Sequence, residues 1–204
     1  MALAKDKCSA IINPPRTRPK FSRLTAPLGQ SLGKHLEVLK IPVSDVSDRM
    51  VMKSAPTFSK LTVLDISYCL QITCQGLEAI GTHCKALIRL KRNLPPPEFE
   101  TQGGNPTAVV DEDEAIAIAD TMPGLLHLQL AYGRFSDVGL DAILMKCKSL
   151  QYFDIYGCWN VKLDGNLEDK CYGIWNFVGP WVDELDDSDS EESKGSAASS
   201  DISG

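Results

Sequence analysis

Two hexapeptides of this chain are near copies: "LDISYC" at Leu64 to Cys69 and "FDIYGC" at Phe153 to Cys158. An active-site motif is usually written once, so a pattern written twice with a cysteine in the same last place points to repeated architecture. Aligning the copies sets Leu61 over Leu150, and the same column accepts Leu36, Leu87 and Leu125. These anchors stand 25, 26, 38 and 25 residues apart, so the outlier is one period plus a 13-residue insertion. Three residues after each anchor come Leu39, Leu64, Leu90, Leu128 and Phe153. Five after come Ile41, Ile66, Arg92, Leu130 and Ile155, and eight after come Ser44, Cys69, Pro95, Gly133 and Cys158. Before the anchors, positions -10, -7 and -3 are mostly apolar, as in Leu77, Ile80 and Cys84 or Leu140, Ile143 and Cys147.

The pattern L-x-x-L-x-L-x-x-C with a period near 25 is that of a leucine-rich repeat. Its physics is consistent at each level. Alternation at +3 and +5 suits a short strand with one buried face. Apolar residues at -10, -7 and -3 form one buried stripe of a helix. Stacked strand-helix turns bury a continuous core between a parallel sheet and a row of helices. The expected fold is therefore α/β, a short solenoid of four to five turns with its sheet on the concave face and its helices outside. "QGLEAIGTHC", "DEAIAIADTM" and "VGLDAILMKC" carry the strongest helix signals. The segment before Leu36, with Pro27 and Gly29, reads as an atypical capping turn. Arg92 breaks an apolar strand column, so that turn of the sheet is expected to be irregular.

Charge and composition divide the chain into an arm (1–25), a repeat domain (26–178) with an insertion loop at about 93–110, and a tail (179–204). From Met1 to Arg23 six basic residues face one acid, and "NPPRTRP" can form neither a helix nor a central strand. That stretch reads as a disordered arm, and its basic, acid-poor character also leaves an organelle transit peptide open. From Asp183 to Gly204 eight acids face one lysine with almost no apolar residues, a composition expected to be disordered. Within it "SDSE" resembles an acid-directed kinase site at Ser188. No apolar run approaches a membrane span and no secretory core follows Met1. The net charge of -6 lacks the basic face of a nucleic-acid binder. Neither membrane nor nucleic acid is an expected partner.

Seven cysteines, an odd number without a secretory signal, suggest reduced thiols and a nuclear or cytoplasmic protein. Cys69 and Cys158 share one column, Cys84 and Cys147 another, so they read as packing residues of the repeat. Cys69, Cys74, His83 and Cys84 are close in sequence, but the spacing is not that of structural zinc. Adjacent helical residues such as His83 and Cys84 also do not face each other. Cys8, Cys74 and Cys171 fall outside the repeated columns. No catalytic set, metal site or cofactor site is expected, since no known catalytic motif occurs. "DEDE" at Asp111 to Glu114 precedes a helix and reads as its cap and dipole partner. The insertion, with Pro95, Pro96 and Pro97 and then Gly103, Gly104 and Pro106, is either a contact element or a solvated excursion.

What remains is a protein-binding surface. The side chains alternating with the core are Val63, Asp65, Ser67 and Tyr68 in one turn, and Arg89 and Lys91 in the next. Then follow His127, Gln129 and Tyr132, and finally Tyr152, Asp154, Tyr156 and Trp159. Tyrosine, tryptophan and arginine are favoured anchors at interfaces, and about a third of such positions are expected to matter.

The phrases "LTVLDISYCLQITCQGLEAIGTHCKALIRLKRNLPP" and "DEDEAIAIADTMPGLLHLQLAYGRFSDVGLDAILMKCKSLQYFDIYGCWNVKLDGNLEDKC" resemble the repeat region of plant F-box/leucine-rich-repeat proteins. The resemblance runs from Leu36 to Cys171 and includes the interrupted third repeat and the "GCWNVKL" ending. It implies a non-enzymatic substrate-recognition subunit of an SCF-type cullin–RING ubiquitin ligase. In that family an F-box binds the Skp-type linker, and the repeats hold the protein to be ubiquitinated. An F-box carries a Leu-Pro near its start and spaced apolar helices, and "PPRTRPKFSRLTAPLGQSLGK" does not show that pattern. The F-box is thus expected to be absent. This leaves a second reading, a truncated, ligase-independent repeat module that binds proteins without delivering them.

Overall fold

The structure is a computed structural model that describes residues 8–11, 33–96 and 109–181. The described strands are β1 (Cys8–Ile11), β2 (Leu36–Lys40), β3 (Val63–Asp65), β4 (Arg89–Lys91), β5 (His127–Gln129), β6 (Tyr152–Asp154) and β7 (Asn176–Val178). They pair in sequence order, every pair parallel. Between them lie α1 (Asp48–Ser54), α2 (Cys74–His83), α3 (Asp113–Thr121), α4 (Asp137–Lys146) and α5 (Leu167–Tyr172). This is the leucine-rich-repeat solenoid that the columns imply.

Register follows the columns residue for residue. Leu39, Leu64, Leu90, Leu128, Phe153 and Phe177 are neighbours across the sheet and point to the core. The helix stripe meets them there: Leu77, Ile118, Leu140 and Ile143 are wholly buried. Each cysteine of the repeated columns donates its thiol proton to a carbonyl of the preceding turn. Cys69 reaches Ile41 O at 3.1 Å and Cys158 reaches Leu130 O at 3.2 Å. Cys147 reaches Met122 O at 3.6 Å and Cys84 reaches Ala55 O at 3.9 Å. A small apolar residue with a weak donor suits that buried place, and for Leu130, Met122 and Ala55 the thiol adds to a backbone N–H that the same carbonyl already accepts.

A second set of links ties helix to helix. Thirteen residues before successive anchors stand Asp48, Cys74, Glu112 and Asp137. Asp48 accepts the N–H groups of Thr73 (2.8 Å) and Gly76 (3.0 Å) and the Thr73 hydroxyl (2.7 Å), so it caps α2 from the turn before. Glu112 does the same for α4, accepting from Ser136 N (3.1 Å) and Gly139 N (2.8 Å). Asp137 accepts from Lys162, Leu163 and Asp164 ahead of α5. Free N–H groups and the dipole make a helix start a favourable seat for a carboxylate. Glycine is required beneath it: a Cβ on Gly76 would lie 2.4 Å from Asp48 Oδ1, and one on Gly139 2.5 Å from Glu112 Oε2.

Between α2 and α3 the series changes. Cys74 stands in the carboxylate column, and the positions whose N–H groups would donate to it are Asp111 and Glu114 rather than Ser/Thr and Gly. Arg92 occupies this gap. Its side chain is 2% exposed and turned into the core, where it donates to Cys69 O (3.2 Å) and Ile72 O (2.7 Å). It also forms a two-point ion pair with Glu114, at 3.2 Å from Nε and 2.8 Å from the terminal nitrogen. The expectation of an irregular turn is therefore corrected. β4 keeps its register, and Arg92 N–H donates to Gln129 O at 2.8 Å like its neighbours, because the charge is neutralised where it is buried. "DEDE" does serve as cap and dipole partner: Asp113 and Glu114 stand in the first turn of α3, and Asp111 Oδ1 accepts the Asp113 N–H at 3.0 Å, while Glu112 makes no side-chain bond to α3. Glu112 serves the following helix and Glu114 serves Arg92.

The ends of the sheet also differ from expectation. Cys8–Ile11, within the stretch read as a disordered arm, pairs with β2, whose edge would otherwise leave backbone groups unpaired. Past the expected boundary at 178, Pro180 is buried and its carbonyl accepts Gly157 N–H at 2.8 Å, so packing extends into the stretch assigned to the tail. β7 adds a sixth turn beyond the five anchors. Most of the capping turn expected before Leu36, most of the insertion (97–108) and the acidic run from Asp183 lie outside the described residues.

Candidate binding surface

The sheet face turned away from the helices carries two rows of side chains. The first runs Val38, Val63, Arg89, His127, Tyr152 and Asn176 across β2 to β7, and the second Lys40, Asp65, Lys91, Gln129, Asp154 and Val178. Eight of the residues singled out from the sequence stand in these rows. The His127 ring stacks on Tyr152, with centroids 5.9 Å apart and planes 13° apart. Gln129 Nε2 donates to the Tyr152 hydroxyl at 3.4 Å. Partial burial and the neighbouring Arg89 cation both push the His127 pKa below its ordinary value, burial first. The His127 ring presents a flat aromatic surface beside a cation. Among the described residues its buried Nδ1 has no hydrogen-bond partner.

At the C-terminal ends of the strands the chain turns sharply toward the helices. Val43, Tyr68, Tyr132 and Gly157 share one column and all have positive φ, from 56° to 71°. Their N–H groups continue the ladder past the strands, from Val43 to Ser67 O, Tyr68 to Asn93 O, Tyr132 to Tyr156 O and Gly157 to Pro180 O. A left-handed backbone is costly for a tyrosine, yet two tyrosines adopt it. The turn aims them outward, and together with Tyr156 they form a ridge. Tyr132 and Tyr156 meet edge to face at 5.6 Å. The Tyr132 phenol pKa is raised by burial, by the charge and hydrogen bond of Tyr156, and by the charge of Tyr68. Tyr68 and Tyr156 are each 40% exposed.

Two singled-out residues lie elsewhere. Ser67 is buried, its N–H held by Asp65 Oδ1 at 3.1 Å, so it is not a surface residue. The strand ends at Asp65, and the alternation that placed Ser67 outward stops there. Trp159 is 53% exposed, past the turn, where it lines an open groove of about 760 Å³ with Leu70, Leu94, Tyr132 and Arg134. Sequence reasoning missed the exposed Tyr172 and Trp175 beside β7. The available signal was Ile174 and Phe177, spaced as an anchor and its +3 partner 24 residues after Leu150.

Burial raises the thiol pKa of Cys84 and Cys147 to about 11, and of Cys158 and Cys171 to about 12. These groups stay protonated near neutral pH and are poor nucleophiles. Among the described residues, no group of three or more His, Cys, Asp or Glu side chains is placed to hold a metal ion. No described helix is long and apolar enough to cross a membrane.

No protein-family model matches the chain. Sequence relatives do. F-box protein FBW2 of Arabidopsis thaliana is 38% identical over 147 residues, 72% of this chain and 44% of that protein. F-box protein SKIP19 is 36% identical over 63% of this chain and 39% of its own length, and F-box protein SKIP1 is 38% identical over 61% and 44%, both from the same plant. The chain thus spans less than half the length of these curated relatives. Among solved structures, the tropomodulin C-terminal domain of Caenorhabditis elegans covers 71% of this chain and 84% of its own, at 16% identity and a TM-score of 0.43. That likeness adds nothing to the sheet and register already described. The sequence relatives do place the chain: over well more than half its length it is homologous to plant F-box and F-box/leucine-rich-repeat proteins.

Proposed function

We propose that this chain provides target recognition for an SCF-type cullin–RING ubiquitin ligase, holding a protein to be ubiquitinated against its exposed sheet face and tyrosine ridge. The observation that carries this reading is the 38% identity over 147 residues to a protein named for its F-box. The surface supports it. Solenoids bind along such extended faces, and here the face offers an arginine, a stacked His127–Tyr152 pair and an outward tyrosine ridge. Its partners are a target protein and, where an F-box accompanies the repeats, a Skp-type linker. The nucleus or cytoplasm is the place of action.

Proximity labelling in plant cells tests the reading, with the chain compared to a Tyr68→Ala/Tyr156→Ala variant of equal abundance. A set of proteins should be labelled by the native chain, lost from the variant, and increased in amount when the chain is depleted. Equal labelling by both, or no change in the abundance of the labelled proteins on depletion, overturns it.

A further inference from the structure

The centre of the exposed sheet face carries two cations on one strand. Arg89 and Lys91 both project from β4, the fourth of seven strands, and both are exposed. Among the described residues no ion pair includes either one. The nearest acids on the face are Asp65, beside Lys91 on β3, and Asp154 on β6. Each already accepts a backbone N–H of its own turn, Asp65 from Ser67 at 3.1 Å and Asp154 from Tyr156 at 3.0 Å. Arg89 lies beside His127 of β5 and adds to the lowering of its pKa that burial chiefly causes.

The chain itself carries the complementary charge. Segment 183–192 reads "DELDDSDSEE", seven carboxylates in ten residues. It follows Trp181, three residues past the end of β7. Lys91 is level with Val178 in register and three strands away. Strands stand ~4.8 Å apart and rise ~3.3 Å per residue, so the distance from Trp181 to Lys91 is roughly 18 Å. About six extended residues cover that, so a chain of this length past Trp181 suffices to reach β4. A tether this short holds the segment at an effective concentration on the order of millimolar.

We propose that segment 183–192 docks on the exposed sheet face of its own chain, across β4 and β5, with its carboxylates on Arg89 and Lys91. Asp65 and Asp154 flank the seat and repel a shifted register, which confines the segment to the middle of the sheet. Docked there, it covers the face to which a target protein is assigned above, so a target must displace it.

Carbodiimide coupling of carboxylates to lysine amines, read by mass spectrometry on the full-length chain, tests this without any target or ligase component. A failure of the target-recognition reading therefore leaves the result interpretable. The expected product is an intramolecular bond from Lys91 to a carboxylate of 183–192, at least about fivefold above bonds to Lys53, Lys60 and Lys162, which are also exposed. It should fall about fivefold in 0.5 M salt, since exposed charges are then strongly screened. It should fall similarly in Arg89→Glu, an exposed substitution whose fold circular dichroism verifies. Added free peptide of sequence 183–192 should compete with it. Bonds spread evenly over the surface lysines, bonds joining two chains of an isotope-mixed sample, or a yield unmoved by Arg89→Glu each overturn the proposal.

Discussion

Gly157 shows how one position separates the two hexapeptides that reveal the repeat. "LDISYC" has Tyr68 in the left-handed turn, and "FDIYGC" has glycine there. The reason lies in the neighbouring turn. A Cβ on Gly157 would come within 2.4 Å of the Tyr132 ring, which already fills that space against Tyr156. At φ +71° a side chain would also be strained. Gly157→Ala should therefore destabilise the protein by about 2 kcal/mol, the backbone and steric costs together. Tyr68→Gly should change stability little, since relief of left-handed strain of ~1 kcal/mol is offset by the similar entropic cost of glycine. Urea denaturation of the two variants checks this. Similar midpoints for both would show that the column does not discriminate as the geometry says. Residue chemistry of this sort is only half legible in the sequence. The glycine is visible, whereas the ring that excludes a side chain belongs to a residue 25 positions earlier.

Secondary elements of this chain are short and gain their definition from the turn before. Helices of six to ten residues, as α1 to α5 are, would not persist alone. Thr73 and Ser136 cap α2 and α4 from within, accepting Gln75 N–H and Val138 N–H. Asp48 and Glu112 then cap the same two helices from the preceding repeat. Glu112→Ala removes the acceptor for two N–H groups and a hydroxyl at the start of α4, all partly buried. The expected loss is about 2–3 kcal/mol, as for hydrogen bonds to a charged group. Glu78→Ala, an exposed acid of α2 with no such partner among the described bonds, serves as the reference and should cost less than about 0.5 kcal/mol. A loss at Glu112 no larger than at Glu78 would remove the inter-repeat cap from the account. Periodicity made the strands and helices legible because burial imposes it. It could not reveal these caps, since a carboxylate and the N–H groups it serves lie a whole repeat apart. For the same reason only the local role of "DEDE", with Asp111 accepting the Asp113 N–H, was legible, and not the bonds that Glu112 makes to α4. Cys8–Ile11 was missed because the prolines and basic residues after it dominate the composition of its neighbourhood.

Across the whole molecule, stability in a solenoid is close to a sum over adjacent turns, so one weak interface can divide it. The interface between α2 and α3 is the one whose carboxylate cap is missing, with Cys74 facing Asp111 and Glu114. It also borders the 13-residue insertion, which lengthens the connection between β4 and α3. The Arg92–Glu114 pair is the polar link that spans it, joining β4 to α3 while tying down two carbonyls of the turn before α2. Breaking one partner of a buried pair leaves an uncompensated charge and costs ~3–5 kcal/mol, with the lower end apt for a Glu114 side chain that is 26% exposed. Glu114→Ala should therefore do more than lower the midpoint. Strands β2 and β3 with α1 and α2 lie on one side of the lesion, and β5 to β7 with α4 and α5 on the other. Without the link, each side can open without the other, and native-state hydrogen exchange should show two groups of amides with distinct opening free energies where the parent shows one. Arg92→Leu/Glu114→Ala restores the apolar column shared with Ile66 and Leu130 and removes both charges, at the cost of the bonds to two carbonyls, of which Cys69 O keeps the Ile72 N–H. It should recover about half the stability lost in Glu114→Ala and bring the two amide groups back together. If exchange in Glu114→Ala weakens uniformly across all strands, the pair is an ordinary local contact and the solenoid is held as one unit by its apolar core.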